Sequence, residues 1–305
     1  MKKIKFYIVD VFANQKYGGN QLAVFVDLKN QLSDVLMQQM ATEINFAETT
    51  FIKANLGNHR YDVRIFTPEH EVPFAGHPSL GTAYILSKYL SAKGQPHLTL
   101  ALKHSDIHIS ISQPDNLEDS TFFMTQAQPE FRETFKPAEI ANELGIPLSH
   151  LDTELPIQEI TTGLPYILIP LKSLDAMNQL DFDYAPLQKF LFARQKYRTN
   201  SATGHSTSFF FFTPHTYEKT NHYNTRMMLL ENGKRSEDAA TGSANGCFLA
   251  YLLKYRSPHI QAIVEQGFQI NRPSYIYLDG VFEAGQYGIR VGGRVKGVSE
   301  GEWYV

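Results

Sequence analysis

The chain has 305 residues, with 28 Lys and Arg against 31 Asp and Glu, a formal net charge of −3 at neutral pH. That balance excludes a strongly basic nucleic-acid binder, and a composition that is 43% hydrophobic and 12% aromatic fills an ordinary core and excludes a disordered chain. A lone cysteine, Cys247, excludes an intramolecular disulfide and a four-cysteine zinc site, so a reducing, cytoplasmic setting is expected.

The basic opening, Met1 to Lys5, runs into Phe6 to Val9 like a signal peptide, but Asp10 ends the apolar run too early for one. No stretch has the apolar length that spans a bilayer, so a soluble protein with no membrane contact is expected. Lys5 to Phe12 and Gln21 to Val26 read as strands joined by a glycine turn at Tyr17-Gly18-Gly19-Asn20. Ser33 then reads as the N-cap of a helix carrying Val35, Leu36, Met40 and Ile44 on one side. Strands are predicted at Glu48 to Lys53, Asp62 to Thr67, Leu98 to Leu102 and Ile107 to Ser112, with one helix, Pro78 to Leu90, among them.

A comparable order returns after about residue 125. Ile157 to Pro170 is strand-like around a turn at Thr162 to Pro165, Ala185 to Ala193 is helical, and Ser206 to Thr213 and Tyr223 to Glu231 are strands. Ala240 to Tyr255 opens with small residues and continues as an apolar helix containing Cys247. Phe209 to Phe212 reads as a strand buried on both faces.

Side by side, Arg64 to Thr67 matches Arg226 to Leu229, and the run beginning Ala75-Gly76-His77-Pro78 matches the run beginning Ala240-Thr241-Gly242-Ser243. A repeat of so long a period indicates duplicated domains. The expected division is residues 1–125 and 126–305, with the last ~15 residues returning to the first domain. The expected class is α+β, two related halves facing each other, each with a buried apolar helix inside a curled sheet.

Gly76-His77-Pro78-Ser79 and Thr241-Gly242-Ser243-Ala244 place backbone N–H groups at a helix start, where the dipole favours an anion such as a carboxylate. The alternative is ordinary capping, with Ser79 and Ser243 serving their own helices. Glu48 sits where a helix gives way to a strand and shares a face with Phe46, Thr50 and Ile52. A carboxylate on so apolar a face should have a raised pKa, which suits a group that both takes and gives a proton; the alternative is a hydrated rim glutamate. His77 and Asp238 could handle protons or orient Glu48, or be a loop histidine and a capping aspartate. Glu69, Glu71 and Glu237 read as solvated loop charges. His104 and His108, four apart on a strand pattern, are too far apart for a compact metal pair, and no metal is expected. No P-loop, dinucleotide fingerprint or nucleophile elbow is present.

Four segments resemble the PhzF-like family of phenazine-biosynthesis proteins, and the resemblance covers nearly the whole chain. They are Val9-Asp10-Val11-Phe12 with Gly19-Asn20 and Ala23-Val24-Phe25; Phe46 to Phe51; Phe74 to Gly81; and Glu237 to Ala244. The resemblance implies the fold of diaminopimelate epimerase: two pseudo-symmetric halves, each a sheet rolled around a central helix, with the active site in the cleft between them. It also implies a homodimer, no metal and no organic cofactor, and an activity that moves a proton between carbons of a cyclohexadiene amino acid. By resemblance, Glu48 is the acid and base, and His77 and Asp238 are the polar pair across the cleft. Gly76 and Ser243 meet the substrate, within a binding set that includes Asn20, Pro78, Thr241, Gly242 and Ala244. Ala239 stands where the family has proline, and Asn245 where it has a small residue.

Epimerases of this fold use two thiols, one on each face of the α-carbon, and this chain has one. A single carboxylate suffices for a proton shift within one molecule. The expectation is therefore a cytoplasmic, cofactor-independent isomerase of a small carboxylate-bearing substrate. Its rivals are a two-base epimerase or racemase using Glu48 and Asp238, and a non-catalytic small-anion binding protein.

Overall fold

The computed structural model describes residues 2–181, 184–194, 207–231 and 234–305. The chain forms two compact units, Met1–Thr125 with Gly292–Val305, and Gln126–Val291.

The first unit runs β1 (Lys3–Val11), β2 (Asn20–Val26), α1 (Asp34–Ile44), β3 (Glu48–Asn55), β4 (Arg60–Phe66), β5 (Glu71–Val72), α2 (Gly76–Ile85), β6 (His97–Ala101), β7 (Asp106–Ile111) and β8 (Phe122–Thr125), and the chain's last strand, Val295–Tyr304, returns to it. β1 lies antiparallel between that last strand and β2; β2 and β3 are parallel, β3 and β4 antiparallel, β4 and β6 parallel, and β6, β7 and β8 antiparallel in turn. The sheet rolls around α2, which packs on β1, β2, β3, β6, β7, β8 and the last strand. All ten residues of α2 are buried, as its all-round small and apolar composition requires.

Strand alternation divides the side chains of β3. Phe51 stacks with Phe25 and meets Phe66 edge-on beneath α1, while Thr50 Oγ1 bonds Thr82 Oγ1 of α2 at 2.8 Å. Glu48, two residues before Thr50, therefore belongs to the α2 face. Ser33 caps α1 by accepting from Leu36 N–H, but Val35 points to solvent at 69% exposed. Leu36, Met40 and Ile44 of the expected stripe pack on the core, and Met37 and Ala41 join them. Phe12 ends β1 in a left-handed conformation instead of extending it.

The second unit runs β9 (Glu130–Phe135), α3 (Pro137–Leu144), β10 (Ile157–Thr161), β11 (Pro165–Pro170), α4 (Leu174–Asn178), α5 (Tyr184–Ala193), β12 (Thr207–Thr213), β13 (Tyr223–Glu231), β14 (Lys234–Asp238), α6 (Gly242–Tyr255), β15 (His259–Gln266) and β16 (Ser274–Glu283). Ser206, expected to open β12, lies outside the described residues. β11 pairs parallel with β12 and β13 parallel with β15, and β9–β10, β10–β11, β12–β13, β13–β14 and β15–β16 are antiparallel. α6 packs on β10, β11, β15 and β16, and its first twelve residues, Cys247 among them, are buried. The four phenylalanines of β12 are buried on both sides: Phe209 and Phe211 pack with Ile140, Met177 and Phe190 of the outer helices, and Phe210 and Phe212 meet Phe248 of α6.

Two further sequence readings change. Glu71 and Glu237 are not solvated loop charges: each lies on a strand and takes a fork from the matching arginine of its own unit. Arg64 Nε and Nη2 meet Glu71 at 2.8 Å each, and Arg226 Nε and Nη2 meet Glu237 at 3.0 and 2.7 Å. The predicted first-repeat helix also starts two residues earlier, at Gly76, and its last turn, Leu86–Leu90, is π-helical.

Candidate active site

In the first unit, Glu48 opens β3, alongside Leu22 of β2. His77 is the second residue of α2, 5% exposed, with Nε2 3.5 Å from Glu48 Oε2 and 3.3 Å from the Gln21 carbonyl oxygen. A carbonyl only accepts, so the proton of the neutral ring sits on Nε2. Burial disfavours the imidazolium and takes the His77 pKa down to about 3, against a smaller upward pull from the Gln21 carbonyl. His77 is thus a neutral N–H donor to the Gln21 carbonyl at ordinary pH, and its 3.5 Å approach to Glu48 Oε2 is not an ion pair.

Asn20 is buried at the start of β2, beside the turn that Asp10 holds by accepting from Tyr17 N–H at 2.7 Å. Gly19 in that turn has φ +66, and a Cβ there would stand 2.3 Å from the Val11 carbonyl oxygen, so only glycine fits. Gly76 and Pro78 are buried in the first turn of α2. The capping alternative does not hold for Ser79: its hydroxyl donates back to the carbonyl of Ala75, the N-cap residue, at 2.9 Å.

In the second unit, Asp238 closes β14 and Thr241 is the N-cap residue of α6. Thr241 does not cap, because its hydroxyl donates to Asp238 Oδ2 at 2.6 Å. Asp238 is therefore an acceptor for Thr241. Ser243 does not cap either: its hydroxyl lies 2.6 Å from that of Tyr166 on β11, with both groups buried. Gly242 and Ala244 complete the buried first turn. Both helices thus begin at a glycine, and neither N-cap residue bonds its own helix through a side chain.

The helix starts move the repeat by one residue: Gly76 corresponds to Gly242, not to Thr241. Ser79 then corresponds to Asn245, whose Nδ2 donates to the Thr241 carbonyl at 3.0 Å, the same bond four residues back that Ser79 makes. Sequence reasoning missed Tyr166, Gln266 and the pairing roles of Glu71 and Glu237. The matched arginines, each followed by an acid, were the available signal for the last two. Among the described residues no three His, Cys, Asp or Glu side chains gather as metal ligands would. His104 lies in the turn between β6 and β7, and His108 Nδ1 lies 3.1 Å from Thr99 Oγ1.

Comparisons with known proteins agree with this architecture. The chain matches the PhzC-PhzF family, described as phenazine biosynthesis-like protein, over residues 9–301. It is 31% identical to a trans-2,3-dihydro-3-hydroxyanthranilate isomerase of Pseudomonas aeruginosa, over 90% of this chain and 89% of that one. A PhzF-family phenazine biosynthesis protein of Bacillus anthracis aligns over 100% of both chains with a TM-score of 0.85 at 25% identity. A hydroxyproline epimerase from Agrobacterium vitis shares the fold alone, with a TM-score of 0.58 at 10% identity over 98% of this chain and 92% of that one.

Proposed function

The chain belongs to the phenazine biosynthesis-like family and is an isomerase with an epimerase-like fold, and from that premise we propose that it moves a proton between two carbons of a small cyclic amino acid, with Glu48 as general acid and base. The observation that carries the reading is the pairing of Glu48 with a histidine that burial keeps neutral. The Gln21 carbonyl takes the one N–H of the neutral ring, so His77 lies beside Glu48 without a charge to neutralise it and leaves the proton traffic to Glu48.

In this mechanism Glu48 removes a proton from a ring carbon, the electrons delocalise, and Glu48 returns the proton to a second carbon on the same face. Each first turn, Gly76-His77-Pro78 in the first unit and Gly242-Ser243-Ala244 in the second, is suited to an anion such as the substrate carboxylate, with Ser243 offering its hydroxyl. Asn20 and Thr241 complete the binding set, and Asp238 steadies the polar substituents. Cys247 supports a carboxylate mechanism over a thiol one: it is fully buried in α6, with Sγ near the Leu164 carbonyl and the Thr162 hydroxyl.

The relative from Pseudomonas aeruginosa names the first substrate to try. Proton NMR in D2O of the protein with trans-2,3-dihydro-3-hydroxyanthranilate and a panel of cyclic amino acids should show a double-bond shift with solvent deuterium at one carbon. Inversion at a stereocentre would assign a two-base epimerase with Asp238 as the second base. Tight binding with no exchange across the panel would assign a binding protein.

A further inference from the structure

Behind the first turn of α6, four side chains of the second unit form a hydrogen-bonded chain whose direction is set by chemistry. Asn245 Nδ2 donates to Gln266 Oε1 at 3.0 Å. Gln266 Nε2 donates to Thr241 Oγ1 at 2.9 Å and to the Asp238 main-chain carbonyl at 3.0 Å. Thr241 Oγ1, having accepted, gives its single proton to Asp238 Oδ2 at 2.6 Å. Neither amide can be reversed. A flipped Gln266 would aim its oxygen at the Asp238 carbonyl and its nitrogen at Thr241 N–H, which now donates to it at 3.3 Å, and a flipped Asn245 would set its oxygen against the Thr241 carbonyl.

Capping alone does not explain this arrangement. The corresponding residue of the first unit, Ser79, makes the same bond to its N-cap carbonyl with a hydroxyl and no amide. Asn245 adds an amide, fully buried, whose Oδ1 has no hydrogen bond among the described residues, a desolvation cost that a serine would avoid. What the amide adds is the bond to Gln266, itself fully buried, and through it a grip on both ends of Asp238.

Resting on the reading that Asp238 meets the substrate, we propose that Gln266 is a positioning residue: it fixes the Asp238 carboxylate through Thr241 and the Asp238 main chain, and Asn245 holds Gln266 in register. The chain of donors also favours Asp238 as the carboxylate, so Asp238 receives a proton or a hydrogen bond from the substrate and does not supply one.

The test is a double-mutant cycle with Gln266→Met, Thr241→Val and the pair, measuring kcat and KM on the substrate that the wild type isomerises. Each single variant is expected to lower kcat/KM about tenfold, and the pair to lower it no further than the worse single, because Gln266 reaches the Asp238 carboxylate through Thr241. Effects that multiply would overturn the proposal. If Gln266→Met does not fold, Gln266→Glu, which keeps the shape and the acceptor but loses the donor, takes its place in the cycle. A crystal structure of the Gln266 variant gives a readout independent of turnover. Asp238 still bonded to Thr241 in its wild-type position would overturn the proposal whether or not a substrate turns over. Asp238 displaced, in a protein whose wild type turns over nothing, would support the positioning and count against the isomerase reading alone.

Discussion

The hydroxyls of Tyr166 and Ser243 lie 2.6 Å apart, both residues buried, one on β11 and the other in the first turn of α6. If Tyr166 donates, the Ser243 proton is free to point at a bound carboxylate. Tyr166→Phe should therefore cost about 1 kcal/mol of binding, a rise of about fivefold in KM, with kcat little changed. Steady-state kinetics check this, and a fall in kcat at constant KM would remove Tyr166 from substrate binding.

His77 makes stability depend on pH. Its folded pKa, about 3, lies below the 6.5 of a free imidazole, so between those values the unfolded chain binds a proton that the folded protein refuses. Stability from this group is intact above about pH 6.5 and is lost as the pH falls toward about 3, at roughly 1 kcal/mol per pH unit. Urea unfolding of wild type and His77→Gln at pH 7.5 and pH 5 should show their stabilities converging in acid. A constant gap would mean that His77 titrates alike in both states.

Asp27 and Lys53 form an ion pair with side chains 0% and 7% exposed, and Asp27 also accepts from Gln31 N–H at 2.7 Å and Leu32 N–H at 3.1 Å. Removing one partner leaves a buried charge with too little compensation. Lys53→Met should cost about 3 kcal/mol of unfolding free energy, which chemical denaturation reads directly. A loss below about 1 kcal/mol would show that the surroundings relax enough to solvate Asp27.

Gly81 is where α2 comes closest to the sheet: a Cβ there would stand 2.6 Å from Leu22 Cδ2 and 2.8 Å from Val11 Cγ2. Alanine favours a helix by about 1 kcal/mol, but the clash forces core side chains off their rotamers at a cost of about 1–3 kcal/mol. Gly81→Ala should therefore lower the thermal midpoint despite its better propensity. A raised midpoint would show that Leu22 and Val11 yield freely.

Local signals made much of the fold legible. Ser33 marked a helix start, the phenylalanine run marked a strand covered on both faces, and the small, all-round apolar character of the two central helices marked them as buried. Long-range partners were not legible. Gln266 reaches Thr241 across 25 residues and Tyr166 reaches Ser243 across 77, and no local spacing rule links such pairs. Aligning Ala75 with Ala240 by identity placed the repeat one residue off, because the glycine, not the alanine, begins each helix. On α1 the stripe lost one member, Val35, which is apolar but faces outward, and periodicity alone does not say which side a marginal residue takes. The contact between Glu48 and His77 joins a strand start to a helix start 29 positions on. The four-segment resemblance pointed to both residues, and their own spacing did not.

The most direct measurement of the central claim is proton NMR of solvent deuterium incorporation by wild type and Glu48→Gln, with folding of the variant checked by its thermal midpoint. The account predicts that wild type isomerises the substrate with deuterium at a single carbon, and that Glu48→Gln still binds it but loses exchange and isomerisation together, by about 10²-fold or more. A folded Glu48→Gln that exchanges deuterium at the wild-type rate would contradict the account.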